Sequence, residues 1–232
     1  MPAEPAAVEA TGLTRSHGTG ARLVRALDGA SLTVRRGEVV AIVGPSGAGK
    51  STLLFLLAGL DRPDSGTVKL AGTDWETLAG KERAAFRRQT CGFVSQGMAL
   101  LPQATASENV EVPLLLDGVG RDERAVRVAE ALEHVGLAAE AAKLPDQLSG
   151  GQQQRVAVAR ALVTEPALVL ADEPTGNLDS ANGQEIARLL VEAAAQRDAA
   201  VVLVTHDPDV AAHATRVLEL RSGRLQENRE RR

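Results

Sequence analysis

Short apolar runs alternate with longer stretches of mixed polarity along most of the chain. Four of the runs are short enough to be buried strands, and the first and last of them are rich in β-branched residues. They are residues 38–43, 92–96, 168–171 and 200–204. Amphipathic segments with helical spacing lie between them, for example at 180–196. Strands that alternate with helices in this way indicate an α/β domain with a predominantly parallel sheet.

Residues 98–148 differ from their surroundings, because helical spacing replaces the strand pattern there. Helices are predicted at 107–116 and 121–135, with Pro113 breaking the first and Gly136 closing the second. One apolar stripe of the second helix is predicted to face the core. It consists of Val126, Ala129, Leu132 and Val135. The pattern therefore predicts a helical insertion between the strands of the α/β core.

Composition excludes several classes of protein. The 232 residues carry a formal net charge of −4, only 2% are aromatic, and none is tyrosine, so nucleic-acid binding is not expected. The single cysteine, Cys91, excludes an internal disulfide and is predicted to be a small core residue. No apolar run has the length that a membrane span requires. Direct membrane insertion is not expected, and any membrane role would come through a partner.

A glycine-rich loop follows the first buried run directly. It fits the phosphate-binding pattern G-x-x-x-x-G-K-[ST] and has the strand–loop–helix setting that this pattern requires. Its residues are Gly44, Pro45, Ser46, Gly47, Ala48, Gly49, Lys50, Ser51 and Thr52. Backbone N–H groups of such a loop surround the α- and β-phosphates of a nucleotide. Lys50 is predicted to contact the β- and γ-oxygens, Ser51 to bind Mg²⁺ and Thr52 to hold phosphate.

Polar side chains stand at the carboxyl ends of three predicted strands. Gln96 ends one, Asp172 and Glu173 follow another, and His206 follows a third. Each has an ordinary structural alternative: a strand end, a solvated acidic turn or a structural histidine. Their convergence favours a site, since open α/β sheets bind ligands at that edge. Asp172 is then a ligand of Mg²⁺, and Glu173 orients or deprotonates an attacking water.

A second glycine signature stands in the segment LPDQLSGGQQQRVAVARAL. Ser149 offers a hydroxyl, and the backbone N–H groups of Gly150 and Gly151 can approach an anion closely at the start of a predicted helix. The alternative is a glycine turn that begins a structural helix. Together with the phosphate loop, the segment predicts a second phosphate site in the same chain.

These motifs resemble the ATPase of ATP-binding cassette (ABC) transporters over nearly the whole chain. The resemblance implies a P-loop core with a predominantly parallel sheet, an N-terminal antiparallel β-subdomain and a helical signature subdomain. It divides the single domain into a core of residues 1–96 and 161–226, a helical subdomain at 97–160 and a frayed tail at 227–232. It also implies a head-to-tail homodimer with two ATP molecules, each between the phosphate loop of one chain and the LSGGQ signature of the other.

The resemblance assigns further roles. Glu173 polarises the attacking water, His206 contacts the γ-phosphate and Gln96 senses Mg²⁺ and a membrane partner. Asp179 communicates across the dimer. The family usually stacks adenine on an aromatic residue near the first turn, where this chain has His17, with Val24 offering apolar contact. GTP therefore stays open as an alternative substrate.

The expected function is an ATP-hydrolysing subunit that drives a separate integral membrane permease. Segments such as VEVPLLL and ADEPTGNLDS resemble the branch of macrolide exporters, lipoprotein-release systems and the cell-division ATPase. The expected location is cytoplasmic, peripheral on the inner face of the cell membrane. A non-transporting mechanical regulator, as in cell division, and a soluble ABC ATPase stay open as alternatives. The signature argues against a small-molecule kinase or a GTPase.

Overall fold

The computed structural model describes residues 5–176, 178 and 180–227. Asp179 and the tail beyond residue 227 lie outside the described residues. The strands are β1 (Val8–His17), β2 (Val24–Val34), β3 (Val39–Val43), β4 (Ser65–Leu70), β5 (Thr73–Asp74), β6 (Cys91–Ser95), β7 (Leu168–Asp172), β8 (Ala200–Val204), β9 (Arg216–Arg221) and β10 (Arg224–Glu227). The helices are α1 (Lys50–Leu57), α2 (Gly80–Thr90), α3 (Ala106–Leu116), α4 (Arg121–His134), α5 (Gly150–Leu162), α6 (Ser180–Ala195) and α7 (Pro208–Ala211).

Two sheets organise these elements. The smaller one is antiparallel and has the order β2-β1-β4-β5. The larger one has the order β10-β9-β3-β8-β7-β6, and every neighbouring pair in it is parallel except β10 with β9. The carboxyl ends of β3, β6, β7 and β8 therefore meet at one edge of the larger sheet, as the alternation of strands and helices predicted.

The larger sheet separates two apolar cores. Successive side chains of a strand point to opposite faces, and β3 shows this directly. Val39 and Ala41 belong to the core built with α3, α4, α5 and α6, whereas Val40 and Ile42 belong to the core built with α1 and the smaller sheet. Both faces of the central strands are covered, which explains why these strands are continuous apolar runs.

The helical region differs from its prediction at two points. Pro113 does not break α3, which continues to Leu116 and donates from Asp117 N to the Pro113 carbonyl (3.1 Å). Proline removes only one backbone donor, and the buried neighbours Val110 and Leu114 hold the helix against the core.

The core face of α4 also differs from the predicted stripe. Val126 is 57% exposed and Ala129 is exposed, whereas Val128 and Ala131 are buried together with Leu132 and Val135. A strict spacing of three winds around a helix that has 3.6 residues per turn, so only the second half of the predicted stripe reaches the core. Among the described residues, no helix is both long and apolar enough to cross a bilayer.

Candidate functional site

A cavity of about 390 Å³ opens at the carboxyl edge of the larger sheet. It is lined by the phosphate loop and the first turn of α1, by residues at the carboxyl ends of β7 and β8, and by residues of the smaller sheet. Its lining residues are His17, Val24, Ala26, Ser46, Gly47, Gly49, Lys50, Ser51, Thr52, Asp172, Glu173 and Val204. Ten of these twelve were candidate site residues from the sequence. Ala26 and Val204 were missed, although Val204 is the last residue of a strand whose end was already implicated.

The phosphate loop runs from Val43, the end of β3, to Lys50, the start of α1. Gly49 has φ 99°, and a Cβ placed on it would lie 2.2 Å from the carbonyl oxygen of Ala26. Only glycine fits there, because both the backbone angle and the contact exclude a side chain. Lys50 Nζ donates to the carbonyl oxygens of Gly44 (2.8 Å) and Pro45 (3.1 Å), which holds its ammonium group over the loop.

Helix α1 directs its amino terminus into the cavity. The first N–H groups of a helix have no partner within the helix, and they carry the positive end of its dipole. Lys50, Ser51 and Thr52 form this first turn, and all three line the cavity. The arrangement is suited to phosphate.

Asp172 and Glu173 line the cavity at the carboxyl end of β7. Asp172 is paired with Ser95 of β6 on one side and with Val204 of β8 on the other. Glu173 leaves the strand with φ 46°, an uncommon angle for a residue with a side chain, and its N–H donates to the Val204 carbonyl (3.0 Å). Strained backbone of this kind often marks functional positions. Here it lets Glu173 line the same cavity as Asp172, although neighbouring residues of a regular strand point to opposite faces.

His206 contacts Glu173 directly. Its Nδ1 lies 2.9 Å from Glu173 Oε2, and the side chains are 72% and 16% exposed respectively. An ionised carboxylate can only accept a hydrogen bond, so Nδ1–H of His206 is the donor in this contact. The other ring nitrogen, Nε2, takes no part in it. The turn that carries His206 is fixed locally, because Thr205 Oγ1 accepts from Asp207 N (3.0 Å) and Asp207 caps α7.

Gln96 lies just beyond β6 rather than in the strand. Its Nε2 atom is 2.8 Å from the place that a Cβ on Gly176 would occupy, so its amide lies beside the turn that follows Glu173. Gln96 does not line the cavity as the described residues define it. The structure thus puts it at the border of the site.

Two of the three side chains predicted at the Mg²⁺ ion have a suitable arrangement, whereas the third, Gln96, does not line the cavity that the described residues form. Ser51 and Asp172 line the same cavity and offer a hydroxyl and a carboxylate, both hard oxygen donors. Within the described part of the chain, no group of three or more His, Cys, Asp or Glu side chains could hold a metal ion. Magnesium usually takes only one or two protein carboxylates, with waters and substrate phosphates completing its shell.

His17 and Val24 meet at the side of the cavity nearest the smaller sheet. His17 Nε2 lies 3.3 Å from Thr52 Oγ1, which attaches the ring to the first turn of α1. Val24 is 62% exposed although it is apolar. The imidazole ring offers a flat face to a planar ligand, and the exposed valine beside it offers apolar contact.

The LSGGQ signature stands apart from the cavity. Ser149 caps α5 by accepting from Gln152 N (3.3 Å), and the Gln152 side chain accepts from Ser149 N (2.9 Å). Ser149 and Gly150 are exposed, and Gly151 is half-buried. None of the three lines the cavity of their own chain, as far as the described residues define it. Asp179, whose predicted role is at the dimer contact, lies outside the described residues.

Comparison with known proteins identifies the family. The model of the ABC transporter family matches residues 27–176. A lipoprotein-releasing system ATP-binding protein, LolD of Chromohalobacter salexigens, is 49% identical over 94% of this chain and 92% of its own. The pyoverdine export ATP-binding/permease protein PvdT of Pseudomonas aeruginosa is 51% identical over 91% of this chain. This chain spans only 32% of PvdT.

A solved structure has the same fold. It is a dimer of the ATP-binding cassette MJ0796 in a post-hydrolysis state with ADP and Pi, and it superposes with a TM-score of 0.86. The identity is 39%, and the match covers 95% of this chain and 98% of the other. The sequence-based interpretation of the fold is confirmed: the chain belongs to the ABC transporter family and is an ATP-binding, ATP-hydrolysing domain of that family.

Proposed function

We propose that this chain hydrolyses ATP in a head-to-tail dimer with a second copy of itself and thereby drives a separate membrane subunit. One observation carries the dimer. The phosphate loop, Asp172 and Glu173 share a cavity, whereas the exposed signature at the start of α5 is outside it. A second anion-binding helix start that lies outside its own chain's cavity is suited to the nucleotide of another chain.

Within the proposed site the residues have distinct roles. The loop N–H groups and Lys50 hold the phosphates, Ser51 and Asp172 hold Mg²⁺, and Gln96 approaches the metal from the border. When bound, Mg²⁺ neutralises charge on the β- and γ-oxygens. Glu173 accepts a hydrogen bond from the attacking water and orients it. His206 fixes the Glu173 carboxylate by donating to it through Nδ1–H and donates through Nε2–H to the γ-phosphate, so both ring nitrogens carry a proton in this role. Catalysis of phosphoryl transfer depends mainly on such positioning.

The remaining predicted contacts are made with the base of the nucleotide and with the partner chain. His17 and Val24 pack against the base of the nucleotide. Ser149, Gly150 and Gly151 bind the γ-phosphate held by the partner chain, and Asp179 lies at the contact between the two chains. Residues 97–160 act as a helical subdomain on a core of residues 1–96 and 161–226. Movement of this helical subdomain brings the signature towards the partner's nucleotide or away from it.

The names of the relatives support the choice of partner. LolD is named as the ATP-binding protein of a lipoprotein-releasing system, and PvdT as an ATP-binding/permease protein for export. By likeness to them, the partner of this chain is an integral membrane permease of the efflux or lipoprotein-release kind. The chain then lies on the cytoplasmic face of the cell membrane, attached through that partner.

The Glu173→Gln variant tests the proposed catalytic role. It keeps the shape of the side chain and removes its charge, so ATP binding should persist and hydrolysis should fall at least about 100-fold. Glu165→Gln is the matched control, because Glu165 also has a left-handed backbone (φ 54°) and is exposed outside the cavity. Phosphate release by both variants gives the answer. Wild-type turnover of Glu173→Gln would overturn the assignment.

The membrane partner is tested by affinity capture. Glu173→Gln is used with Mg-ATP to hold the complex in detergent-solubilised native membranes, and the bound proteins are identified by mass spectrometry. A co-purifying protein with a few transmembrane spans and a large extracytoplasmic domain is the expected result. Capture of soluble proteins alone, with the ATP-bound dimer present, would contradict the transport role and favour a soluble ATPase.

A further inference from the structure

The segment that connects β6 to α3 has an unusual backbone. We call residues 96–105 the Gln96 loop. Directly after Gln96 and Gly97, Met98 has φ 59° and Ala99 has φ 50°. Two consecutive residues with side chains in the left-handed region are disfavoured, so they persist only where surrounding contacts determine them. Met98 N donates to the Ser95 carbonyl (3.0 Å), which closes the turn.

Arg160, in the last turn of α5, holds this turn from outside. Its Nη2 donates to the Met98 carbonyl (2.7 Å) and its Nη1 to the Ala99 carbonyl (2.8 Å). The two acceptors are consecutive and belong to the two left-handed residues. A guanidinium group is a rigid planar fork, so binding two neighbouring carbonyl oxygens fixes their relative direction as well as their distance.

The surroundings of Arg160 are unusual for a charged side chain. Burial lowers the pKa of its guanidinium through loss of solvation. Among the described residues no carboxylate forms an ion pair with it, and the hydrogen bonds found for it go to the two carbonyls. Desolvating a cation without a counterion is unfavourable, so this arginine is a poor choice for packing alone. Its position suits geometric control of the loop.

The other supports of the loop are rigid. Asn109 of α3 is fully buried, accepts from Leu101 N (2.7 Å) and donates to the carbonyls of Leu101, Ala104 and Thr105. Near the start of β6, a Cβ on Gly92 would lie 2.1 Å from the Ala161 carbonyl oxygen, so β6 and the end of α5 touch through their backbones. Arg160 therefore extends from a fixed point, and only residues 96–100 depend on it.

From this geometry we infer that Arg160 is a positioning residue for Gln96. By fixing the turn at Met98 and Ala99, it sets how far the Gln96 amide extends towards the nucleotide site beside Gly176. The same helix carries the signature at its other end, so the Gln96 loop and the signature are attached to one rigid element. This inference rests on the proposed function, since it needs Gln96 to act at the site.

Hydrogen exchange tests the structural part of the inference without reference to activity. In Arg160→Gln, backbone amides of residues 96–100 should exchange at least about tenfold faster, while those of β6 and α5 stay protected. Arg155→Gln is the matched control. Arg155 lies on the same helix and donates to the Val135 carbonyl (3.2 Å), but it pairs with Glu185 and not with the Gln96 loop. Unchanged exchange in the loop of Arg160→Gln would overturn the inference.

Kinetics test the functional part. Arg160→Gln should lower kcat about tenfold and raise the Mg²⁺ concentration needed for half-maximal rate, with KM for ATP within about twofold. In a Gln96→Ala background the same substitution should have little further effect, because its target is gone. An equal loss of kcat in both backgrounds, or no loss in either, overturns the inference.

One further variant, Arg160→Lys, keeps the outcome decisive. If Arg160→Gln does not fold, Arg160→Lys keeps the charge and loses the fork. It should show an intermediate loss of kcat that again disappears with Gln96→Ala, and wild-type kinetics would overturn the inference. Failure of the proposed function would be recognised differently: the wild type would not hydrolyse ATP, or Glu173→Gln would still hydrolyse it. The kinetic role of Arg160 would then be lost together with the proposed function, while hydrogen exchange would still decide whether Arg160 holds the Gln96 loop.

Discussion

Glu173 illustrates how single residues are fitted to the site. Its φ of 46° costs about 1–3 kcal/mol relative to an ordinary backbone. The parallel strand pairing of Asp172 with Val204 and the hydrogen bond from Glu173 N to the Val204 carbonyl hold it in place. The strain has a use, because it turns the carboxylate towards His206 instead of continuing the alternation of the strand. A glutamine at this position keeps that geometry, which makes Glu173→Gln a clean chemical test.

Substitution of His17 is expected to affect the choice between ATP and GTP. Its ring lines the cavity and lies 3.3 Å from Thr52 Oγ1. A phenol ring would offer a larger stacking face, so His17→Tyr should tighten ATP binding by about tenfold, or about 1.4 kcal/mol. Titration calorimetry with ATP and GTP measures the change. His134→Tyr, at the exposed end of α4, is the control. An unchanged dissociation constant would remove His17 from the adenine site.

At the scale of elements, the sequence predicted most of what the motifs require. The strand and helix that flank the phosphate loop follow from a buried β-branched run before Gly44 and an apolar helix after Thr52. Pairing order was not predictable, because it depends on contacts between distant segments. The break at Pro113 was wrong for the same reason: tertiary burial of its neighbours outweighs one missing donor.

Other features had no local signal in the sequence. The contact between Arg160 and the Gln96 loop joins residues 61 and 62 positions apart, and no motif marks it. Ala26 lines the cavity only because the smaller sheet folds against the phosphate loop. Contacts of this kind arise from packing between elements and not from any one segment's composition.

Helix α5 allows folding and function to be separated by one substitution. A Cβ on Gly150 would lie 3.6 Å from Leu178 Cδ2, an ordinary contact, so the backbone accepts a side chain at this position. Aspartate in the first turn favours the helix dipole by up to about 1 kcal/mol, yet its charge repels a phosphate. We expect unchanged or raised stability in urea unfolding, unchanged ATP binding and at least about tenfold slower hydrolysis.

The control for this variant is Gly120→Asp. Gly120 precedes α4, is exposed, and has no atoms within 4 Å of the place for a Cβ. Aspartate is a good capping residue there. Gly120→Asp should keep full hydrolysis. Full hydrolysis by Gly150→Asp as well would remove the signature from the phosphate site.

The contact between β1 and the segment before β4 should respond to acid. The pKa of Asp64 is held below its ordinary value of 3.8, chiefly by the hydrogen bond from Ser16 N (2.7 Å) and also by Arg15. Because the folded pKa is the lower one, this stabilisation is present above the unfolded pKa and disappears as pH falls through the folded value. Asp64→Asn should reduce the loss of unfolding free energy between about pH 5 and about pH 3. Equal losses in urea titrations of both proteins would contradict this.

In the whole molecule, the two halves of the proposed site lie apart within one chain. The phosphate loop, Asp172 and Glu173 belong to the cavity, while the signature is exposed at the start of α5. In the proposed two-fold pairing of identical chains, each signature would lie at the partner's nucleotide, and both sites would be completed at once. The solved structure of MJ0796 with ADP and Pi is dimeric, which agrees with this arrangement.

The site shared by two chains is tested most directly by the mass of the protein in solution with Mg-ATP, measured by light scattering during gel filtration. Glu173→Gln should change from monomer to dimer when Mg-ATP is added and should retain one ATP per chain. The same variant with Gly150→Asp should bind ATP and stay a monomer, because the added charge repels the partner's γ-phosphate. Equal dimerisation of both proteins, or ATP retention by a monomeric Glu173→Gln chain, would contradict the two-chain site.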